Sequence, residues 1–214
     1  MEDTFVEVKS NGTVSAKQGS NSRTPYEHQR KAMECLDIID KLDDYSTLVV
    51  LPIGGGKTYT ASSWLLKATL NKHKKILWIA HRQTLLDQAA ESFQKFAYAE
   101  NLPNVSSFKY RIVSGSTDHD RTIDIVSSDN LLIASKDSLG RNLPSLDSWL
   151  NDEKEVYLVI DEAHHSTAKT YRKVIDYVRD RISHLDLLPN DIAGQMADSA
   201  ARNKFQDRGI CCHP

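Results

Sequence analysis

The stretch "LPIGGGKTYT" places Gly54, Gly55 and Gly56 directly before Lys57 and Thr58. Three residues without a β-carbon let successive backbone N–H groups wrap an anion, and a helix beginning at the lysine would add the partial positive charge of its N-terminus. Lys57 is then placed to reach the outer phosphates of a polyphosphate, and the Thr58 hydroxyl to hold Mg²⁺. A hundred residues on, "VYLVIDEAHHS" delivers Asp161 and Glu162 at the end of an apolar run. Asp161 suits a Mg²⁺ ion held through bound water, and Glu162 suits the orientation and deprotonation of an attacking water. These assignments make Lys57, Asp161 and Glu162 the candidate catalytic residues, with Thr58 and Asp161 on the metal. The strict phosphate-loop pattern asks for glycine where Leu51 stands, so the match is incomplete at that position.

The adjacent His164 and His165 do not form a zinc site. Neighbouring residues on a helix or strand face different ways, and no further ligand stands at zinc spacing. The three cysteines, Cys35, Cys211 and Cys212, are odd in number and lack the Cys-x-x-Cys spacing, which fits a reducing compartment. Over 214 residues, 40% are hydrophobic and 26% charged, enough for one well-buried core. The net charge of -2 provides no global positive field, so any binding of nucleic acid has to be local. No apolar run reaches membrane-spanning length, and the acidic, polar start is unlike a signal peptide. The expectation is a cytoplasmic protein with no membrane partner.

These residues need a scaffold that brings distant loops together. "TLVVL", "KILWIA", "YRIVSG", "NLLIAS" and "EVYLVI" read as buried strands, and "HLDLL" begins another. Between them lie helical stripes: Ala32, Met33, Leu36, Ile39 and Leu42; Ala61, Trp64, Leu65 and Ala68; Leu85, Leu86, Ala89, Ala90, Phe93 and Phe96; and Tyr171, Val174, Ile175, Val178 and Ile182. Alternation of this kind predicts an α/β fold, a mainly parallel sheet covered by helices on both faces, with ligands at the carboxyl ends of the strands. Residues 1–24 are polar; the Asn11-Gly12 pair amid alternating residues suits a short hairpin, and a floppy tail suits the composition equally.

Taken in order, the motifs resemble the first motor domain of superfamily-two DEAD/DEAH-type helicases, in the branch of the type III restriction-enzyme motor subunits. That branch commonly opens its glycine motif with an aliphatic residue and proline, as "LPIGGGKT" does. The resemblance implies a three-layer RecA-like P-loop domain over residues 25–188 that uses ATP and Mg²⁺. "PYEHQRKA" is similar to the adenine-sensing segment, which makes Gln29 the residue that reads the base, joining Gly54, Gly55, Gly56, Lys57 and Thr58 in the ATP site; Tyr26 would pack near the base or in the core. "WIAHRQTLLDQA" and "LLIASKDSL" resemble strand-end motifs that touch the nucleic-acid backbone, implying contacts from His81, Arg82, Ser135 and Lys136. His164 would couple the two sites.

Two departures follow. The Ser/Thr-Ala-Thr segment that joins hydrolysis to nucleic-acid binding in such proteins is absent, its place taken by "PNDIAGQMADSA", and the sequence ends at Pro214 before a second motor domain. Residues 189–214 are therefore expected to be an atypical tail. The expected function is the ATP-hydrolysing domain of a DNA helicase or translocase, with RNA an alternative strand, that works with a second motor domain or a partner subunit. A non-catalytic, nucleotide-dependent binding or regulatory module is the rival. A small-molecule P-loop kinase would lack the "HQ", "AHR" and "DEAH" set.

Overall fold

The computed structural model describes residues 9–42, 45–52, 54–161, 169–192 and 209–212. Its centre is an eight-stranded sheet in the order β1-β4-β5-β3-β6-β7-β2-β8. In chain order the strands are β1 (Asn11–Ser15), β2 (Ser46–Leu51), β3 (Lys75–Ala80), β4 (Ser107–Val113), β5 (Leu131–Ser135), β6 (Glu155–Asp161), β7 (His184–Ile192) and β8 (Gly209–Cys212). All neighbours pair in parallel except β1, which runs antiparallel to β4. The predicted α/β architecture is the one observed.

Period-two alternation on buried strands produces a core on each face of the sheet. Ile76, Trp78 and Ala80 of β3 face one helical layer, made of α1 (Glu27–Ile39), α2 (Lys57–Ala68) and α3 (Gln83–Phe96). Leu77 and Ile79 face the other, made of α4 (Lys136–Arg141), α5 (Asp147–Leu150) and α6 (Lys169–Arg179). Polar bonds tie the first layer together: Trp64 Nε1 of α2 donates to Asp37 of α1 at 2.9 Å, and the hydroxyls of Ser62 and Ser92 join α2 to α3 at 2.7 Å.

Several expectations about the chain's edges are corrected. Asn11 and Gly12 lie inside β1, opposite Arg111 and Tyr110, and form no turn there. A Cβ on Gly12 would lie 3.3 Å from the Tyr110 ring, so the glycine serves a close approach between strands. Leu42 is 51% exposed because α1 ends at Ile39 and its C-cap is Asp40, before the stripe reaches it. Neither 24/25 nor 188/189 bounds the sheet: β1 precedes the first, β7 crosses the second, and β8 adds a strand from the expected tail beside β2.

Candidate functional site

β2 aims the chain at the site and Pro52 ends it, lacking the N–H a further ladder bond would use. The loop then turns tightly, with the Gly55 N–H donating to the Pro52 carbonyl at 2.9 Å. A Cβ on Gly55 would stand 2.8 Å from that same oxygen. Gly56 is left-handed at φ 75° and serves as N-cap of α2, with no side chain bonded to the helix end. The first N–H groups of α2 therefore carry no side-chain cap, as an anion-binding helix start requires. Lys57 and Thr58 open the helix, both half-buried, within the first turn.

Gln29 reaches this loop from α1 and is 1% exposed. Its Oε1 accepts from the Tyr26 N–H at 3.0 Å, and its Nε2 donates to the Gly55 carbonyl at 2.8 Å. The His28 ring nitrogen Nε2 meets the same carbonyl at 3.0 Å, and Tyr26 stacks on the His28 ring with centroids 5.7 Å apart. Arg23, which the sequence did not single out, lies with its guanidinium 4.1 Å from the Tyr59 ring centroid and 5.8 Å from that of Phe96. The glycine loop thus rests on residues 23–29.

The remaining candidates line the same carboxyl edge. Asp161 closes β6 at 3% exposure, and thus ends two strands away from the glycine loop, with β7 between. Glu162 and His164 lie outside the described residues. Ala80 of β3 pairs with Ser135 of β5, so His81 and Arg82 leave the sheet beside Lys136. Arg82 is exposed and is the N-cap of α3; Ser135 accepts from the Ser138 N–H at 3.2 Å, capping α4. Lys136 lies 5.7 Å from the Tyr171 ring of α6. One edge therefore carries two groups, a phosphate-loop group at β2 and β6 and a polar or basic group at β3 and β5.

A third loop on this edge was missed. Ser114, after β4, meets His119 Nδ1 at 2.7 Å, and His119 Nε2 meets Asp87 of α3 at 2.8 Å. The Ser114 hydroxyl also accepts the Ser116 N–H at 3.0 Å, which makes the set a brace for the loop. Nothing in the linear spacing of Asp87 and His119 announces it. At the opposite, amino end of the strands lies a buried acidic cluster. Burial, then the neighbouring Glu155, pushes the Asp186 carboxyl up to about 7, while its partner Glu155, hydrogen-bonded by Lys74, is held below the usual range.

No helix among the described residues is long and apolar enough to cross a membrane. Comparison with known proteins agrees with the geometry. The family model described as "Type III restriction enzyme, res subunit" matches residues 22–185. A protein of Saccharomyces cerevisiae named as the ATP-dependent helicase IRC3 is 32% identical over 137 residues, 61% of this chain and 17% of the yeast protein. Among solved structures, the UvsW helicase from bacteriophage T4 superposes with a TM-score of 0.61 at 16% identity, covering 94% of this chain and 64% of that one. The helicase MrfA, solved bound to DNA and AMPPNP, gives 0.65 at 14%, covering 95% and 32%. At such identities the structural likeness is one of fold, whereas the family match spans the glycine loop, the acid-ended strand and every strand from β2 to β6. The chain belongs to the family of the type III restriction enzyme res subunit.

Proposed function

We propose that this chain is the ATP-binding first motor domain of a DNA helicase or translocase, hydrolysing ATP in a cycle coupled to nucleic acid. The observation that carries the reading is the shared carboxyl edge: an uncapped α2 start behind Gly54–Gly56, Asp161 on β6, and the Arg82 and Lys136 row on β3 and β5. The DNA and nucleotide analogue named with MrfA fit these two groups. Among solved relatives the chain covers 64% of UvsW and 32% of MrfA, so the complete machine includes more than this domain, a second motor domain in the first place.

In this reading the backbone N–H groups of the glycine loop and α2 surround the phosphates, and Lys57 places its ammonium on the outer two. Thr58 and Asp161 offer the hard oxygen donors that Mg²⁺ selects, and the ion would neutralise charge developing on the transferred phosphoryl group. Glu162 orients the attacking water and takes its proton. Arg82 and Lys136, with His81 and Ser135, meet the phosphate backbone of the strand, which positions it without reading sequence. His164 stands between the two groups as the coupling residue. The cytoplasm is the compartment this chemistry suits.

Calorimetry of Mg-ATP binding by the parent chain and by Lys57→Ala tests the site. Binding by the parent and its loss in the variant is expected; equal affinity overturns the reading. The replacement of the coupling segment by "PNDIAGQMADSA" favours a second reading, a nucleotide-dependent binding module without turnover. ATPase activity with and without DNA separates the two, because only the motor reading requires DNA-stimulated turnover once a second motor domain is supplied.

A further inference from the structure

Gln29, expected to read adenine, is 1% exposed and has each end of its amide bonded to the protein, to the Tyr26 N–H and to the Gly55 carbonyl. Tyr26 stacks on His28, which grips the same carbonyl, so these three residues act on the loop from beneath. This leaves the base of the nucleotide without the partner that the sequence suggested.

We propose that Arg23 is the base-binding residue of this site, its guanidinium plane held on one face by Tyr59 and offering the other to the purine, with Gln29 a positioning residue for the glycine loop. The proposal rests on the reading of the loop as a nucleotide site. Three observations place it. The Arg23 guanidinium reaches within 3.7 Å of the point where a Gly56 Cβ would stand, the same point that Gln29 Nε2 approaches to 2.5 Å, so both flank the N-cap of α2. The terminal phosphates and their metal belong toward Asp161 on β6, so the base points away from that strand, toward the α1 side of the loop. The arginine is also held in place while remaining exposed: its guanidinium lies over the buried Tyr59 ring, which packs edge-on against Phe96. Its own N–H donates to Asn21 Oδ1 at 3.0 Å, and the Asn21 N–H donates to Glu100 of the segment after α3 at 2.9 Å.

A guanidinium stacks on π-systems as a plane, which an ammonium cannot imitate. Purine stacking of this kind tolerates adenine and guanine alike, and it adds nothing for a ligand without a base. The test is therefore calorimetric titration of the full chain with ATP, GTP and inorganic tripolyphosphate at physiological salt, for the parent, Arg23→Ala, Arg23→Lys, Gln29→Ala and Lys57→Ala. Arg23→Ala and Arg23→Lys are both expected to weaken ATP and GTP about 3- to 10-fold, with tripolyphosphate essentially unchanged. Gln29→Ala is expected to weaken all three together, leaving the ratio of ATP to tripolyphosphate affinity as in the parent, and circular dichroism confirms that each variant is folded. ATP affinity preserved in Arg23→Lys would mean that charge, not stacking, matters, and would overturn the proposal. So would a parallel loss of tripolyphosphate in Arg23→Ala, which marks a phosphate contact, or a loss confined to ATP in Gln29→Ala, which returns base reading to the amide. Lys57→Ala separates the two levels: if it leaves ATP and tripolyphosphate binding intact, the nucleotide site itself is misplaced, whatever Arg23 does.

Discussion

Gly56 meets two constraints at once, a left-handed backbone at φ 75° and a gap of 2.5 Å between its virtual Cβ and Gln29 Nε2. An alanine there costs about 1–3 kcal/mol for the backbone conformation alone, and it also pushes Gln29 off the Gly55 carbonyl. Gly56→Ala is therefore expected to lower the urea midpoint and to weaken ATP binding more than the stability loss accounts for. Calorimetry under conditions where the variant is fully folded measures the second effect; unchanged affinity there would mean that the loop tolerates the shift. At this scale the sequence was legible where chemistry is local. Glycine, lysine and threonine in succession after a strand demand a phosphate whatever surrounds them. It was not legible where the partner is distant: the bonds that engage Gln29 come from Gly55 on another element, and Arg23 acquires a role only because Tyr59 folds beneath it.

Among the elements, α4 and α6 make the contact most open to test. A Cβ on Gly140 of α4 would come within 2.5 Å of Thr170 Cγ2 on α6. Replacing glycine by alanine inside a helix ordinarily gains about 1 kcal/mol, whereas forcing a methyl group into a filled space costs about 1–3 kcal/mol. The second effect is expected to win, so Gly140→Ala alone destabilises. In a Thr170→Ser background the clashing methyl is gone, and the same change should stabilise. Urea unfolding of the four proteins of this cycle reads the sign change directly; an alanine that destabilises equally in both backgrounds would show that Thr170 is not the obstacle. The interior strands and their helices were readable because continuous apolar runs and helical stripes are long and redundant. β1 and β8 were not, since each is a short edge strand whose partner, β4 or β2, lies far away in sequence.

At the scale of the whole molecule, the two ends of the sheet do different work. Ligand chemistry lies at the carboxyl edge, and the amino ends of β2, β6 and β7 are held by a buried polar cluster. There Asp40 accepts from the hydroxyls of both Tyr45 and Tyr157, Lys74 pairs with Glu155, and Lys72 reaches Asp40 at 3.2 Å. Asp186 sits against this cluster at 4% exposure, beside Tyr157 in the strand register.

Burial and the Glu155 charge push the Asp186 carboxyl up to about 7, so the folded protein keeps a proton that the unfolded chain releases at ordinary aspartate values. The contribution to stability is fully present below the unfolded value and is lost as pH rises through about 7. Glu155 is shifted the opposite way, and its contribution is lost only as pH falls below the usual glutamate range, so the interval from mildly acidic to neutral belongs to Asp186. With Lys74 and solvent at the rim screening part of the repulsion, the expected loss across that interval is on the order of 2 kcal/mol. Urea unfolding at mildly acidic and mildly alkaline pH should show this fall for the parent chain. Asp186→Asn, which keeps a donor toward Glu155 and cannot ionise, should flatten it. An identical pH slope in the two proteins would place the shared proton elsewhere and make the amino-end cluster an ordinary set of ion pairs.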